Sequence, residues 1–350
     1  MSENQNILLI QTAFIGDVVL TTPMIRALRR CKPGARITVM VKPEARAFVE
    51  SLEEVDEVLV IDKKKAHRGL GMLKLISDIR RRKFRILLSP HQSHRTSLIA
   101  WLSGIPTRFG YKSAGFSLAY HHRLTRPMAL PEIHRLLRFL KDSICPDVDM
   151  SDDVPHLEET EAGRAEAQQL LSDLNIRKPI LLGCSSVWAT KRWTAHGFAE
   201  LARDLVQKYK EDVILIGSPD DSPVAEQILR LAREFKGADG IRRLHNGCGK
   251  TSLPGLFSLM KRSHFLVSND SAPVHFGCAA GIPVVAIFGP TVPSLGYAPI
   301  APSTIVAELE GLYCRPCGTH GSHTCPEGHF RCMRELTPAL VEEKILEVVD

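Results

Sequence analysis

The residues whose types and spacing suit chemistry are short polar groups, each placed directly after an apolar run. The clearest lies in Phe265–Thr291, FLVSNDSAPVHFGCAAGIPVVAIFGPT. Phe265 to Ser268 is apolar, Asn269, Asp270 and Ser271 are good helix N-cap types, and a run of small residues ends at Gly281, the usual residue just past a helix. Pro283 blocks continuation, and Val284 to Phe288 reads as a buried parallel strand. Such a βαβ turn presents unpaired backbone N–H groups and the positive end of a helix dipole, which favours a phosphate or pyrophosphate. The stretch reads as a nucleotide-diphosphate cradle; the alternative is an ordinary βαβ turn with a capping Asp.

Two further turns in the same half carry polar groups after strands. SSVWATKRW follows Pro179–Cys184 and brings Ser185, Ser186 and Lys191, whose compact charge suits a phosphate. GSPDD follows Val213–Ile216, where Asp220 and Asp221 are placed to take ribose hydroxyls. All three turns are expected on one sheet edge. Trp193 is expected to pack, and GKTS at 249–252 lacks the first glycine of a P-loop, residue 244 being Leu, so it reads as a loop.

In the first half, Asp17 stands where a helix begins after the strand Ile7–Gln11. Taken alone, that position suits a helix cap or a dipole-favoured acid. TAFIGD has one glycine where a dinucleotide fingerprint needs three, so nothing here argues for NAD. After the strand Arg85–Ser89, His91, Ser93, His94 and Arg95 gather at a helix start, and Ser93 with Arg95 suits a carboxylate or phosphate.

The elements that must position these groups alternate as βα units, an α/β pattern with parallel sheets. Strands are expected at Ile7–Gln11, Arg36–Val41, Glu57–Ile61 and Arg85–Ser89, then at Pro179–Cys184, Val213–Gly217, Phe265–Ser268 and Val284–Phe288. Helices are expected at Val18–Arg30, Leu70–Lys83, His134–Ser143, Glu158–Asn175 and Leu336–Val349, while Ser113–Arg126 is weakly patterned. The acidic, pattern-free segment Cys145–Val154 reads as a linker. With 350 residues, two doubly wound domains follow: 1–150, 151–335, and a closing helix 336–350.

Residues 1–150 carry 25 Lys+Arg against 14 Asp+Glu, an excess of +11, whereas the remainder carries 20 against 25, or −5. The basic half, with runs at Lys63–Lys65 and Arg80–Lys83, suits a polyanion or an anionic membrane surface; solvated helix faces explain such runs taken singly. No apolar run approaches a bilayer span and the N-terminus lacks a signal-peptide layout, so the chain is expected in the cytoplasm. Of nine cysteines, five are dispersed. Cys314, Cys317, Cys325 and Cys332 crowd together and suit either a tetrahedral structural zinc or free or redox-paired thiols.

Taken in order, IGDVVLTTP, TKRW and NDSAPVHFGCAAGIPVVAIFGPT resemble the lipopolysaccharide heptosyltransferases of glycosyltransferase family nine, the second motif having the form of heptosyltransferase II. The resemblance implies the GT-B architecture: two facing Rossmann-like doubly wound domains with a cleft between them, and a C-terminal helix returning toward the N-domain. It implies inverting transfer of L-glycero-D-manno-heptose from ADP-heptose to the lipopolysaccharide inner core. No metal or other cofactor and no nucleic acid is implied, and the contact with the cytosolic face of the inner membrane is peripheral. By motif position Asp17 becomes the general base. Lys191, with Ser185, Ser186, Asp220 and Asp221, faces the donor; Asp270, Ser271, Ala272 and His275 hold heptose and pyrophosphate; Ser93, His94 and Arg95 fall to the acceptor. Another sugar-nucleotide transferase or epimerase of the GT-B type, or a non-catalytic sugar-nucleotide-binding protein, remains an alternative.

Overall fold

The protein is described by a computed structural model covering residues 6–62, 66–67, 70–235 and 241–349. Lys63–Lys65, one of the basic runs, lies outside the described residues. The chain divides into two compact units, Met1–Glu158 and Glu159–Asp350. The division falls just past the acidic segment expected to link the domains.

The first unit is built on a six-stranded parallel sheet in the order β3-β2-β1-β4-β5-β6. Its strands are β1 Asn6–Ile10, β2 Arg36–Val41, β3 Glu57–Val60, β4 Ile86–Ser89, β5 Thr107–Tyr111 and β6 His122–Leu124. The four central apolar residues Ile7–Ile10 are wholly buried, as a strand covered on both faces requires. The weakly patterned stretch holds β6, an edge strand paired only to β5, through Phe109↔His122 and Tyr111↔Leu124. An edge strand need not be apolar on both faces, which is why its HRL sequence carries no strand signature.

The second unit repeats the plan in the order β12-β11-β10-β7-β8-β9. Here β7 is Ile180–Gly183, β8 Val213–Ile216, β9 Leu244–Asn246, β10 Leu266–Asn269, β11 Val284–Phe288 and β12 Thr304–Glu308. The two strands of this unit without a sequence forecast, β9 and β12, are its edges, whereas in the first unit β5, also without a forecast, lies inside the sheet between β4 and β6. The closing helix Pro338–Val349 buries Val341 and Ile345 in this unit's own core with Val285, Ile287 and Ala307. Its apolar residues meet the β11–β12 face.

Two further differences have local causes. The single helix expected over 18–30 is two, Ile15–Leu20 and Thr22–Cys31. The break comes where Thr21 and Thr22 donate their hydroxyls to the carbonyls of Asp17 and Val19 (2.7 and 2.8 Å), and Pro23 supplies no N–H. Cys31 and Cys145, expected as dispersed thiols, form a disulfide with Cα atoms 5.9 Å apart. They stand at the ends of two helices, Thr22–Cys31 and Glu132–Ser143, that pack on each other.

Candidate active site

In an open α/β sheet the crevice for a ligand lies at the carboxyl ends of the two adjacent strands whose connections run in opposite directions. In the second unit these are β7 and β10, and the turns that follow them carry Lys191 and Asp270. Lys191 lies in a single 3-10 turn, Ala189–Lys191, and its Nζ sits 2.6 Å from Asp270 Oδ2. Only 12% of the lysine and 6% of the aspartate side chain is exposed, so the pair is held out of water. The Thr291 hydroxyl donates to the same carboxylate oxygen at 2.7 Å from the end of β11.

Beside this pair lie two buried polar atoms with no partner among the described residues, Asn269 Nδ2 and His275 Nδ1. Buried polar atoms in native proteins are normally paired, so the two are free to meet a ligand or a water. Asn269 Oδ1 accepts from the Trp193 amide at 3.0 Å, which fixes the side-chain amide and leaves its nitrogen available. Desolvation pushes the His275 imidazole down to about 4; Asp270 opposes the shift and Lys191 adds to it. His275 is therefore a neutral hydrogen-bonding group at physiological pH. It lies in the first turns of the helix Ala272–Ala280, with Ser271 at the N-cap and Pro273 early in the helix. The Ser271 hydroxyl does not cap the helix; it bonds to the carbonyls of Asn269 and Ser185, at 3.1 and 3.4 Å.

The other donor-side expectations are only partly gathered. Ser185 donates to Asp221 Oδ1, and Asp221 Oδ2 also accepts from the Ser218 amide and hydroxyl at 2.8 and 2.7 Å. Asp221 thus ties the β8 turn to the β7 turn. Asp220 is exposed and Ser186 is buried, its carbonyl accepting from Arg192 Nε at 2.7 Å.

A long segment with no sequence forecast closes around these turns. Thr190 and Ser322 bond reciprocally: the Ser322 amide donates to Thr190 Oγ1 at 2.8 Å, and the Thr190 amide to the Ser322 carbonyl at 3.0 Å. Trp188 stacks flat on His320 at 5.2 Å, and Arg315 donates to the carbonyls of Gly289, Leu309 and Thr291. Residues 315–322 therefore brace both the Lys191 turn and the Thr291 turn. The four crowded cysteines are free thiols, Cys317 within this strap and Cys314, Cys325 and Cys332 outside it, and among the described residues no three His, Cys, Asp or Glu form a metal-holding group. Cys332 is buried in the core beside Met333, while Cys317 Sγ turns to the Cys314 carbonyl at 3.1 Å.

In the first unit the corresponding crevice is at β1 and β4. Asp17 follows β1, in the short helix Ile15–Leu20, and its Oδ2 accepts from the Phe14 amide at 3.1 Å. Its pKa is raised to about 6, by desolvation first and by Glu132 second; the Phe14 amide, Lys42 and Arg126 pull the other way. The β4 turn is joined to the β1 turn through Thr12, whose hydroxyl lies 3.2 Å from His91 Nδ1 and 3.3 Å from the Thr96 hydroxyl. Ser93 is the N-cap of the helix His94–Ser103, and His94 and Arg95 are exposed in its first turn, with His94 lying over Gly115. They share the sheet edge with Asp17, but none of the three touches it.

The model of glycosyltransferase family 9 (heptosyltransferase) matches residues 72–327. The chain belongs to glycosyltransferase family 9. It is 24% identical over 349 residues to lipopolysaccharide heptosyltransferase 2 of Escherichia coli K12, covering 97% of each chain. Among solved structures it is similar to a family 9 glycosyltransferase from Veillonella parvula, with TM-score 0.86, 24% identity and 100% and 98% of the two chains covered. It is also similar to the E. coli ADP-heptose LPS heptosyltransferase II, with TM-score 0.79, 23% identity and coverage of 99% and 98%. The fold of this glycosyltransferase is thus the GT-B pairing of Rossmann-like domains.

For the family 9 enzyme, sequence reading missed Thr291, the buried unpartnered amide of Asn269, and the charged groups that tune Asp17. Asn269 carried a signal, standing in the motif beside Asp270. Lys42, Arg126 and Glu132 carried none, since each acts on Asp17 from a different element.

Proposed function

We propose that this glycosyltransferase moves L-glycero-D-manno-heptose from ADP-heptose to a hydroxyl of the lipopolysaccharide inner core, with inversion. The observation that carries the reading is the buried Lys191–Asp270 pair with two unpartnered polar atoms, Asn269 Nδ2 and His275 Nδ1, beside a helix N-terminus. That is a site built for a charged and hydroxylated ligand. Similarity to proteins named as heptosyltransferases supports the donor and acceptor classes.

In this reading the acceptor oxygen forms a bond to the anomeric carbon, the bond from that carbon to the diphosphate oxygen breaks, and ADP leaves with the electron pair. The acceptor hydroxyl's proton passes to Asp17, whose pKa of about 6 leaves it ionised at neutral pH yet basic enough to accept it. Lys191 and the first backbone amides of the helix Ala272–Ala280 meet the charge that grows on the departing diphosphate. Stabilisation of this oxyanion kind is typically worth about 3 kcal/mol per donor. Asp270 holds Lys191 in place and, with Ser271, Ala272, His275, Ser185 and Ser186, faces the donor; Asp220 offers its exposed carboxylate to the ribose. Ser93, His94 and Arg95 take the acceptor's anionic groups. The protein works in the cytoplasm with peripheral contact to an anionic membrane surface, and the excess of +11 in residues 1–150 supports that placement.

A mass-spectrometric assay with ADP-heptose and purified truncated core acceptors tests the reading. A mass increase of one heptose on the acceptor is expected, dependent on both substrates. Release of free sugar or epimerised donor without acceptor gain would replace transfer with hydrolysis or epimerisation, and donor binding without turnover would make this a binding protein.

A further inference from the structure

The excess positive charge of the first unit is not spread evenly. In the basic run Arg80–Arg82, Arg81 pairs with Asp78, Arg82 with Glu57, and Arg80 bonds to the Leu102 carbonyl, so the run is taken up by its own neighbours. At the β6 edge the situation is reversed. A cavity of about 640 Å³ is lined by Lys112, Ser117, His121, His122, Arg123 and Leu124. Desolvation first, then Arg108 and His122, push the His121 imidazole's pKa down, so Arg108 lies close enough to act on it. Among the described residues none of these five basic groups makes an ion pair; Arg108 donates only to the neutral carbonyls of Ala119 and Ile105. The Arg108, Lys112 and Arg123 cations, gathered without a counterion, repel, and a bound anion relieves the repulsion.

Exposed apolar side chains stand on the segments next to this pocket. Leu118, next to Ser117, is 73% exposed, and Trp101 is 54% exposed. The Trp101 ring meets Phe116 edge-on at 6.1 Å, which joins the tryptophan to the segment that lines the pocket. Leu98 stands one turn before Trp101 on the same helix face and is exposed as well. A basic pocket with an exposed tryptophan and leucine on neighbouring segments matches a bilayer interface, where phosphates lie beside the acyl boundary and Trp settles at the headgroup level. A soluble phosphate would account for the charges but not for the exposed apolar side chains.

We propose that this face of the first unit, Lys112, His121, His122 and Arg123 with Trp101 and Leu118, docks on an anionic phospholipid surface. A headgroup phosphate enters the pocket and the two apolar side chains enter the interface. The inference rests on the peripheral-contact part of the reading above and names the surface that makes the contact. It requires neither donor nor acceptor, so it stands or falls apart from the transfer reaction.

The test is flotation of the full chain with vesicles of phosphatidylcholine alone and of phosphatidylcholine with an equal part of phosphatidylglycerol. Binding is expected to the mixed vesicles only and to weaken with salt. Each basic residue near such a surface contributes about fivefold in affinity, so Lys112→Gln with Arg123→Gln is expected to weaken binding roughly 25-fold. Trp101→Ala with Leu118→Ala is expected to remove a part of the affinity that salt does not affect. All four side chains are at least partly exposed, and an unchanged thermal midpoint confirms that the variants fold. Equal binding to both vesicle types, or mixed-vesicle binding that ignores the Lys112/Arg123 pair, would overturn the inference. So would inorganic pyrophosphate binding that depends on the pair while vesicles are ignored, which marks a soluble-phosphate site. Transfer to a soluble, deacylated acceptor is expected to survive in the Lys112/Arg123 variant; its loss would assign the pocket to the sugar acceptor instead.

Discussion

At the β1/β4 edge of the first unit, desolvation lifts a carboxylate, Asp17, to about 6; at the β7/β10 edge of the second, the same physics pushes an imidazole, His275, down to about 4. Burial disfavours whichever form is charged, so an acid rises and a base falls. The consequences differ. Asp17 is brought toward neutrality, where a proton can be exchanged, while His275 is moved out of the working range and stays neutral. Charge in the second unit is carried instead by Lys191 and Asp270 at 2.6 Å, each holding the other in place. One sheet edge carries a carboxylate whose pKa lies near the working range and the other a buried ion pair.

The largest effect that would sharpen this contrast comes from Asp17→Asn. The amide keeps the shape of the carboxylate and can still accept from the Phe14 amide, but it cannot take a proton. Loss of a general base costs about 10²- to 10⁴-fold in kcat, whereas a lost cap costs about 1 kcal/mol of stability. Turnover is expected to collapse while ADP binding and thermal midpoint hold; near-normal turnover would return Asp17 to a helix-capping role. In the wild type, Asp17 is ionised above about pH 6 and protonated below it, so kcat/KM is expected to fall about tenfold per pH unit on the acid side of an apparent pKa near 6. The same raised pKa means the folded state holds this proton more tightly than the unfolded chain. Its contribution to stability therefore grows as pH falls from about 6 toward the ordinary carboxylate range and is absent above it. A pH–rate profile without that limb would break the comparison.

Lys191→Met comes next. It removes the cation proposed to meet the diphosphate and leaves Asp270 buried with the Thr291 hydroxyl as a side-chain donor to its carboxylate. ADP affinity measured by calorimetry is expected to fall about 100-fold, on the scale of one charged donor lost from a preorganised site. Unchanged affinity would show that the pair is structural.

Gly321→Ala probes the strap and should have the smallest effect. A Cβ there would lie 2.5 Å from Trp188 Cβ and 2.9 Å from Lys191 Cγ, so the lysine stem must shift. Donor KM is expected to rise about tenfold with kcat less affected, since a displacement of this size misaligns the cation without removing it. A donor KM equal to wild type would detach the strap from the site.

The central strands, the βαβ crossover and its Asn-Asp-Ser turn were legible because they depend on short-range pattern: apolar runs, capping residues, and the Gly281 and Pro283 stops. Lys191 and Asp270 could each be picked out as the polar residue of a strand-end turn. That the two meet was not legible, since 79 residues separate them and only the order β11-β10-β7-β8 places their turns side by side. Strands β6 and β9 were invisible for a related reason: each has one neighbour, and a short edge segment such as HRL or LHN need not be apolar.

By itself, then, the chain determined its alternating α/β elements and the types of group presented at their ends, because both follow from side-chain pattern over a few residues. Tertiary structure alone decided which of those groups are buried, and so which way Asp17 and His275 shift. It also decided that Thr291 and residues 315–322 support the Lys191–Asp270 pair, that Asp221 bonds inward to Ser185, and that basic residues at the β6 edge lack the carboxylates found beside Arg81 and Arg82. Desolvation and charge pairing depend on what lies within a few ångströms in space, and neighbours in space are set by how the two sheets are wound.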